Sequence, residues 1–160
     1  RARVREMLAR LRPLRAVELG LAPALTDLVA FWRARRVDTT FDLKLALDDE
    51  IDLGMDAREA LYLAAQEAIT NAVRHGAPSK VSLTIGRDAG CVRLQVTDNG
   101  QGARATNGRV GFGLLGMRER VDALAGWLYI EAGPGGRGWS VIVRLPLASE
   151  AAAPIPLEAV

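Results

Sequence analysis

The stretch "QEAITNAVRH" sets Glu67, Asn71 and His75 at i, i+4 and i+8. On a helix these three form one stripe, while Leu61, Ala65, Ala68, Ile69, Ala72 and Val73 take the core side. A carboxylate and an amide oxygen one turn apart suit a hard cation such as Mg²⁺, which takes few protein ligands and keeps its waters and phosphate oxygens. A plain solvated helix face would also accommodate them. Asp98 is a second candidate. It shares parity with Val92, Leu94 and Val96, so a strand would point its carboxylate to the core side. There it needs a donor, and an adenine amino group is one. The Asp-Asn-Gly that begins with it is also strong turn chemistry. A third candidate is "GFGLLG", where Gly111, Gly113 and Gly116 spell G-x-G-x-x-G. Glu131 follows at about the 20-residue distance expected of a ribose ligand in dinucleotide enzymes.

These side chains need elements to hold them. "VREMLARLRPL" reads as a helix tail ended by Pro13, and "LAPALTDLVAFWRARR" as a second helix with Leu25, Leu28, Val29 and Trp32 on one face. The period then changes to two: Phe41, Leu43, Leu45 and Leu47 alternate as in a half-buried strand. Asp56 and Glu59 make a capping-box-like start for the helix that carries the stripe, and Gly76 and Pro78 stop it. Val81, Leu83 and Ile85, a turn at Asp88-Ala89-Gly90, and Val92, Leu94 and Val96 spell a β-hairpin. A Gly-rich polar segment runs from Asn99 to Gly111, then a helix from about Leu114 to Ala125. "WLYIEAG" and "WSVIVRLP" close the domain as paired strands, and the tail after Pro146 is rich in Ala and Pro.

This order decides among phosphate-binding schemes. A dinucleotide fingerprint needs a strand running directly into its glycines within a βαβ unit. Here the strand ends at Asp98 and a polar segment intervenes, so Glu131 is a coincidence. A P-loop fails as well: no G-x-x-x-x-G-K-[ST] occurs, and the only lysines are Lys44 and Lys80. The glycines can still do related work, because a Gly-rich loop opening a helix offers free N–H groups to phosphate.

Composition sets the bounds. The 160 residues suffice for one domain with a real core, and 49% apolar with 25% charged residues is an ordinary globular balance. No apolar run approaches the ~18 residues of a membrane span, and no leader segment opens the chain. Cys91 is the only cysteine and His75 the only histidine, which rules out an intrachain disulfide and a Cys/His zinc site. Residues 1–36 hold nine Arg against three acids, +6 within a net charge of +2. Helical apolar spacing, with little aromatic interleaving, makes this a solvated helix face and argues against direct nucleic-acid binding.

"EAITNAVRH", "DNGQG" and "GFGLLGM", in that order and with these gaps, resemble the N, G1 and G2 boxes of the GHKL ATPases. That superfamily includes gyrase, heat-shock chaperone ATPases, MutL and the histidine kinases. "GLLGMRERV" and "NAVRH" are similar to the histidine kinases paired with helix-turn-helix response regulators, and "LRPLRAVELGLAPAL" resembles the end of their dimerisation hairpin. The resemblance covers about residues 4–147. It implies an α+β, two-layer sandwich of the Bergerat type: a mixed, mostly antiparallel sheet covered by helices on one face, with an N-terminal helical extension. The implied divisions are a hairpin end and linker helix at 1–36, an ATP-binding domain at 37–147 and a loose tail at 148–160.

Carried over by position, the resemblance implies that Asn71 coordinates Mg²⁺ and that Glu67 is the general base or polariser. Arg74 and His75 lie at the phosphates, and Asp98 receives the adenine amino group. Gly100 and Gly102 let the backbone approach the base. Gly111 and Gly113 form the far hinge of an ATP lid whose movable part is about Ala103 to Val110, and with Phe112 and Leu114 they count among the ATP-binding residues. Relatives often carry Thr after a Gly at the start of the last strand; here Gly138-Trp139-Ser140 stands there, so Ser140 is the substitute, one residue displaced, and Trp139 packs beneath the nucleotide or in the core.

The implied activity is that of a histidine kinase catalytic part, using ATP and Mg²⁺ to phosphorylate a histidine on a dimerisation helix, for relay to a response regulator. The full protein would be a homodimer, its kinase part cytoplasmic whether or not the parent is membrane-anchored. This chain begins in what reads as the second hairpin helix, and His75 belongs to the nucleotide site, so the chain alone is not expected to label itself. An anti-sigma-factor-type serine kinase shares the fold and boxes, but the hairpin-like segment argues against it. A non-catalytic nucleotide-binding module is opposed by intact Glu67, Asn71 and Asp98.

Overall fold

The structure is a computed structural model that describes residues 17–48, 51–102 and 112–147, with the backbone alone for Phe112 and Leu114. The expected first helix, the lid stretch 103–110, Gly111 and the tail 148–160 lie outside the described residues.

Helix α1 (Leu21–Arg35) buries Leu21, Ala24, Leu25, Leu28 and Val29 along one stripe. Arg33 in its last turn reaches strand β1 (Thr40–Ala46) and donates from Nε and Nη2 to the Phe41 carbonyl at 3.1 and 2.7 Å. That bond occupies an acceptor on an edge strand, which would otherwise invite pairing with another chain. The alternation of β1 is present but its burial fades, from Phe41 at 3% exposed to Leu45 at 37%.

Helix α2 (Met55–Gly76) crosses from β1 to strand β2 (Lys80–Asp88), which pairs with β1 in parallel. The chain therefore does contain a βαβ unit, but the G-x-G-x-x-G lies outside it. The expected capping box does not form. Gly54 is the N-cap with no side-chain bond, Asp56 sits inside the first turn, and Glu59 instead pairs with Arg120 at 2.8 Å. The left-handed stop is Ala77 at φ 42°, one residue past Gly76.

Strand β3 (Cys91–Asp98) returns antiparallel to β2. The two-residue turn between them, Ala89 and Gly90, has φ of 46° and 77°, the paired positive angles of a tight hairpin turn. Helix α3 (Phe112–Ala123), strand β4 (Trp127–Ala132) and strand β5 (Trp139–Pro146) complete the fold. The sheet order is β1-β2-β3-β5-β4, with every pair after the first antiparallel. The expected α+β sandwich is therefore present.

The pleat divides the sheet cleanly. Val81, Leu83, Ile85, Val92, Leu94, Val96, Val141, Val143 and Leu145 are buried in one core with Leu61, Ala65, Ile69 and Ala72 of α2. A Leu or Ile buried this way contributes roughly 1.5–3 kcal/mol over its exposed form. The other face carries a polar network in which Gln95 Nε2 donates to Thr97 Oγ1 at 3.3 Å and Ser140 Oγ at 3.0 Å. No helix among the described residues is long and apolar enough to cross a membrane.

Candidate functional site

Asp98 closes β3 on the helix-covered side of the sheet, only 4% exposed. Its Oδ1 accepts the Gly100 N–H at 2.9 Å and its Oδ2 accepts the Trp139 N–H at 3.1 Å. A carboxylate has about four lone-pair sites, so these two bonds leave it able to accept more. Burial pushes its pKa above the ordinary carboxylate value, while the two N–H donors pull the other way and only partly offset it. The turn role expected of Asp-Asn-Gly is real, but it uses only part of the carboxylate.

The turn after Asp98 is bound to the end of α2. Gln101 N–H donates to the Gly76 carbonyl at 2.8 Å. Asn99 Oδ1 accepts from the Ser79 and Lys80 N–H groups at 3.0 and 2.9 Å, and its Nδ2 donates to Ser79 Oγ at 2.9 Å. A Cβ on Gly100 would stand 2.5 Å from the Gly76 oxygen and 2.7 Å from its carbonyl carbon. The backbones meet where no side chain fits, and that contact sets the last turn of α2 beside the buried carboxylate. Asn71 lies five residues before Gly76, about 7.5 Å of helix rise.

Along the stripe, Glu67 and Asn71 are half-buried, and Arg74 and His75 are exposed in the last turn. Gly113, in the first turn of α3, lies against Glu67: a Cβ there would collide with the carboxylate. Helix α3 thus opens at the stripe, and its third fingerprint glycine behaves differently. A Cβ at Gly116 would meet nothing within 4 Å, so Gly116 has no close-packing duty of the dinucleotide kind.

Two further glycines make close contacts around Asp98. A Cβ on Gly102 would run into the pyrrole edge of Trp139, and Gly138, at φ 63°, has no room for one beside the Asp98 carboxylate. The sequence reading missed the packing roles of Gly76 and Gly138, the Asn99 clamp and the Trp139 N–H. Strand parity was the available signal for Trp139, which opposes Asp98 across β3 and β5. The same parity sends Ser140 to the outer face, where its hydroxyl lies 3.2 Å from Thr97 Oγ1. The structure thus separates Ser140 from the face of Asp98 and puts Trp139 beside the carboxylate instead.

The donor set fits an adenine nucleotide: a buried carboxylate with spare lone pairs stands next to a polar helix stripe. Among the described residues, no group of three or more His, Cys, Asp or Glu could hold a metal ion by itself. A cation here would need phosphate oxygens beside Asn71, the usual arrangement for Mg²⁺.

Comparisons with known proteins agree. Residues 56–149 match the family model described as histidine kinase-, DNA gyrase B- and HSP90-like ATPase. The chain is 36% identical over 145 residues to the signal transduction histidine-protein kinase/phosphatase UhpB of Salmonella typhimurium, covering 89% of this chain and 28% of that protein. It is 30% identical over 149 residues to the sensor histidine kinase LiaS of Bacillus subtilis, covering 92% and 40%. The chain therefore spans well under half the length of these relatives. Among solved structures, the ATP-binding domain of PrrB from Mycobacterium tuberculosis superposes with a TM-score of 0.51 at 27% identity, covering 77% of this chain and 93% of that one. The histidine kinase domain of the Erythrobacter litoralis blue-light activated kinase gives 0.64 at 21% identity, covering 81% and 66%, a likeness of fold. With its boxes on the elements described above, the chain belongs to the family of histidine kinase-, DNA gyrase B- and HSP90-like ATPases.

Proposed function

We propose that this domain is the ATP-binding catalytic part of a sensor histidine kinase, which passes the γ-phosphate of ATP to a histidine on a dimerisation helix for relay to a response regulator. The observation that carries the reading is the buried Asp98 carboxylate, held by two backbone N–H groups with lone pairs to spare and locked beside the last turn of α2 by the Gly76–Gly100 contact. Asp98 accepts the adenine amino group. Gly100 and Gly102 let the turn lie close against Gly76 and Trp139, which holds its backbone at the edge of the base. Asn71 holds the cation together with phosphate oxygens, and Arg74 and His75 offer positive or donor groups at the phosphate end. Glu67 polarises the incoming nucleophile or takes its proton. Bound Mg-ATP supplies the transferable phosphoryl group with its charge partly neutralised. The kinase acts in the cytoplasm as a homodimer through its dimerisation helices.

Phosphoryl transfer is mostly positioning, with the nucleophile in line with the γ-phosphate. His75, the only histidine here, is fixed on the stripe with Asn71 and is not free to become that nucleophile. The test is incubation with γ-labelled ATP and Mg²⁺ for this chain alone and for the same domain joined to its dimerisation and acceptor helices. The longer protein acquires acid-labile phosphate and this chain does not. Stoichiometric labelling of residues 1–160 alone overturns the reading, and mapping the phosphate to His75 overturns the site assignment.

A further inference from the structure

The carboxylate of Asp98 recognises an exocyclic amino group, and that chemistry is incomplete as a selector. Guanine presents a carbonyl oxygen at the matching position and is rejected, but cytosine carries an amino group just as adenine does. Asp98 alone does not tell a purine from a pyrimidine. The residue directly opposite Asp98 across β3 and β5 is Trp139, since Thr97 pairs with Ser140 and the register runs on by one. Directly opposed residues share a face, with Cβ atoms about 4.5–5.5 Å apart. Trp139 is half-buried rather than part of the sealed core, and its pyrrole edge rests on the Cα of Gly102, so that any Cβ there would displace it. The backbone of Trp139 meanwhile fixes Asp98 Oδ2 through its N–H at 3.1 Å. One residue thus sets the carboxylate with its main chain and presents an aromatic surface next to it with its side chain.

We propose that Trp139 is a specificity-determining residue for the nucleotide: its indole forms the apolar wall of the base site, which a purine covers and a pyrimidine does not. The proposal rests on the nucleotide reading of Asp98, and the two residues have separate signatures. Asp98 governs ATP against GTP. Trp139 governs ATP against CTP. The extra ring of a purine covering roughly 40 Å² of indole corresponds to about a fivefold preference.

The experiment is binding calorimetry with the Mg²⁺ complexes of ATP, CTP and GTP, on the wild-type chain, Trp139→Ala, Trp139→Phe and Asp98→Asn. Circular dichroism checks that each variant is folded. Intrinsic fluorescence with ATP or inorganic tripolyphosphate is read in a Trp127→Phe background, with Trp139→Phe subtracted to remove Trp32. Trp139→Ala should lower the ATP-to-CTP ratio about fivefold and leave the ATP-to-GTP ratio intact, and Trp139→Phe should stay near wild type. Trp139 emission should change with ATP and not with tripolyphosphate. An unchanged ATP-to-CTP ratio in folded Trp139→Ala, or Trp139 emission indifferent to ATP, overturns the proposal and leaves the reading of Asp98 standing. Should Trp139→Ala fail to fold, the emission of the wild-type residue decides by itself. Failure of the wild-type chain to bind ATP removes the nucleotide reading, and this proposal with it.

Discussion

Gly100→Ala adds one methyl group at the point where the G1 turn meets α2. Its Cβ would lie 2.5 Å from the Gly76 oxygen, 2.7 Å from the Gly76 carbonyl carbon and 2.8 Å from its Cα. All three are backbone atoms at the end of a 22-residue helix, so nothing can swing aside. The φ of Gly100 is not in the left-handed region, so the cost comes from crowding and not from backbone strain. Overpacking of this kind costs about 1–3 kcal/mol. Separating the two segments also stretches the Gln101 N–H bond to the Gly76 carbonyl, now 2.8 Å, worth about a further 0.5–1.5 kcal/mol. Gly116→Ala is the matched control. Its Cβ meets nothing within 4 Å and its place is inside α3, so relief of glycine's entropy should stabilise by about 0.5–1 kcal/mol. Urea unfolding gives both stabilities and calorimetry gives ATP affinity. Gly100→Ala should lose about 1.5–4.5 kcal/mol and most ATP binding, while Gly116→Ala should gain stability and keep its affinity. Equal, small effects at the two glycines would refute the idea that the Gly76–Gly100 contact holds the site together.

Two further perturbations probe the charged groups. Burial raises the pKa of Asp98 above its ordinary 3.8, so its folded-state value exceeds its unfolded one. Its contribution to apo stability is therefore complete below that ordinary value and fades as pH climbs through the raised one. On the role proposed for Asp98, in which the ionised carboxylate accepts the adenine amino group, ATP should bind more tightly over that same climb and release a proton. Denaturation and calorimetry across this window check both signs, and an Asp98-dependent rise in apo stability, judged against Asp98→Asn, would contradict them. Asn71→Ala should weaken ATP binding about tenfold with Mg²⁺ present, the loss of about 1.4 kcal/mol of metal coordination, and much less with the metal chelated. The same loss under both conditions would make Asn71 a helix-supporting residue.

Much of this architecture is legible in the chain because period and parity are local. The two-residue alternation of Val92, Leu94 and Val96 sends Asp98 inward, and the structure has it 4% exposed. The 3.6-residue spacing puts Glu67 and Asn71 on one side of α2 and Ile69 and Ala72 on the other. What the sequence hid are choices between elements. Asp56 and Glu59 have the spacing of a capping box, but Glu59 found Arg120 on α3, and a tertiary partner outbid the local one. Gly76 looks like a helix stop, whereas Ala77 takes the left-handed angle and Gly76 is small because Gly100 lies against it. The parallel pairing of β1 with β2 depends on the crossover through α2, which alternation in β1 cannot express. Parity along Val141, Val143 and Leu145 puts Ser140 on the opposite face of the sheet, so its placement is readable from alternation, against the position that the resemblance at Gly138-Trp139-Ser140 implies.

The role proposed for Asp98 is to read an amino group at the base edge. Calorimetry of the wild-type chain with Mg-ATP and Mg-GTP tests it most directly. A charge-assisted hydrogen bond is worth about 1.5–3 kcal/mol, and GTP turns an acceptor toward the carboxylate in place of a donor. ATP should bind at least tenfold more tightly than GTP, with the preference lost in Asp98→Asn. Equal binding of the two nucleotides to the wild-type chain would contradict it.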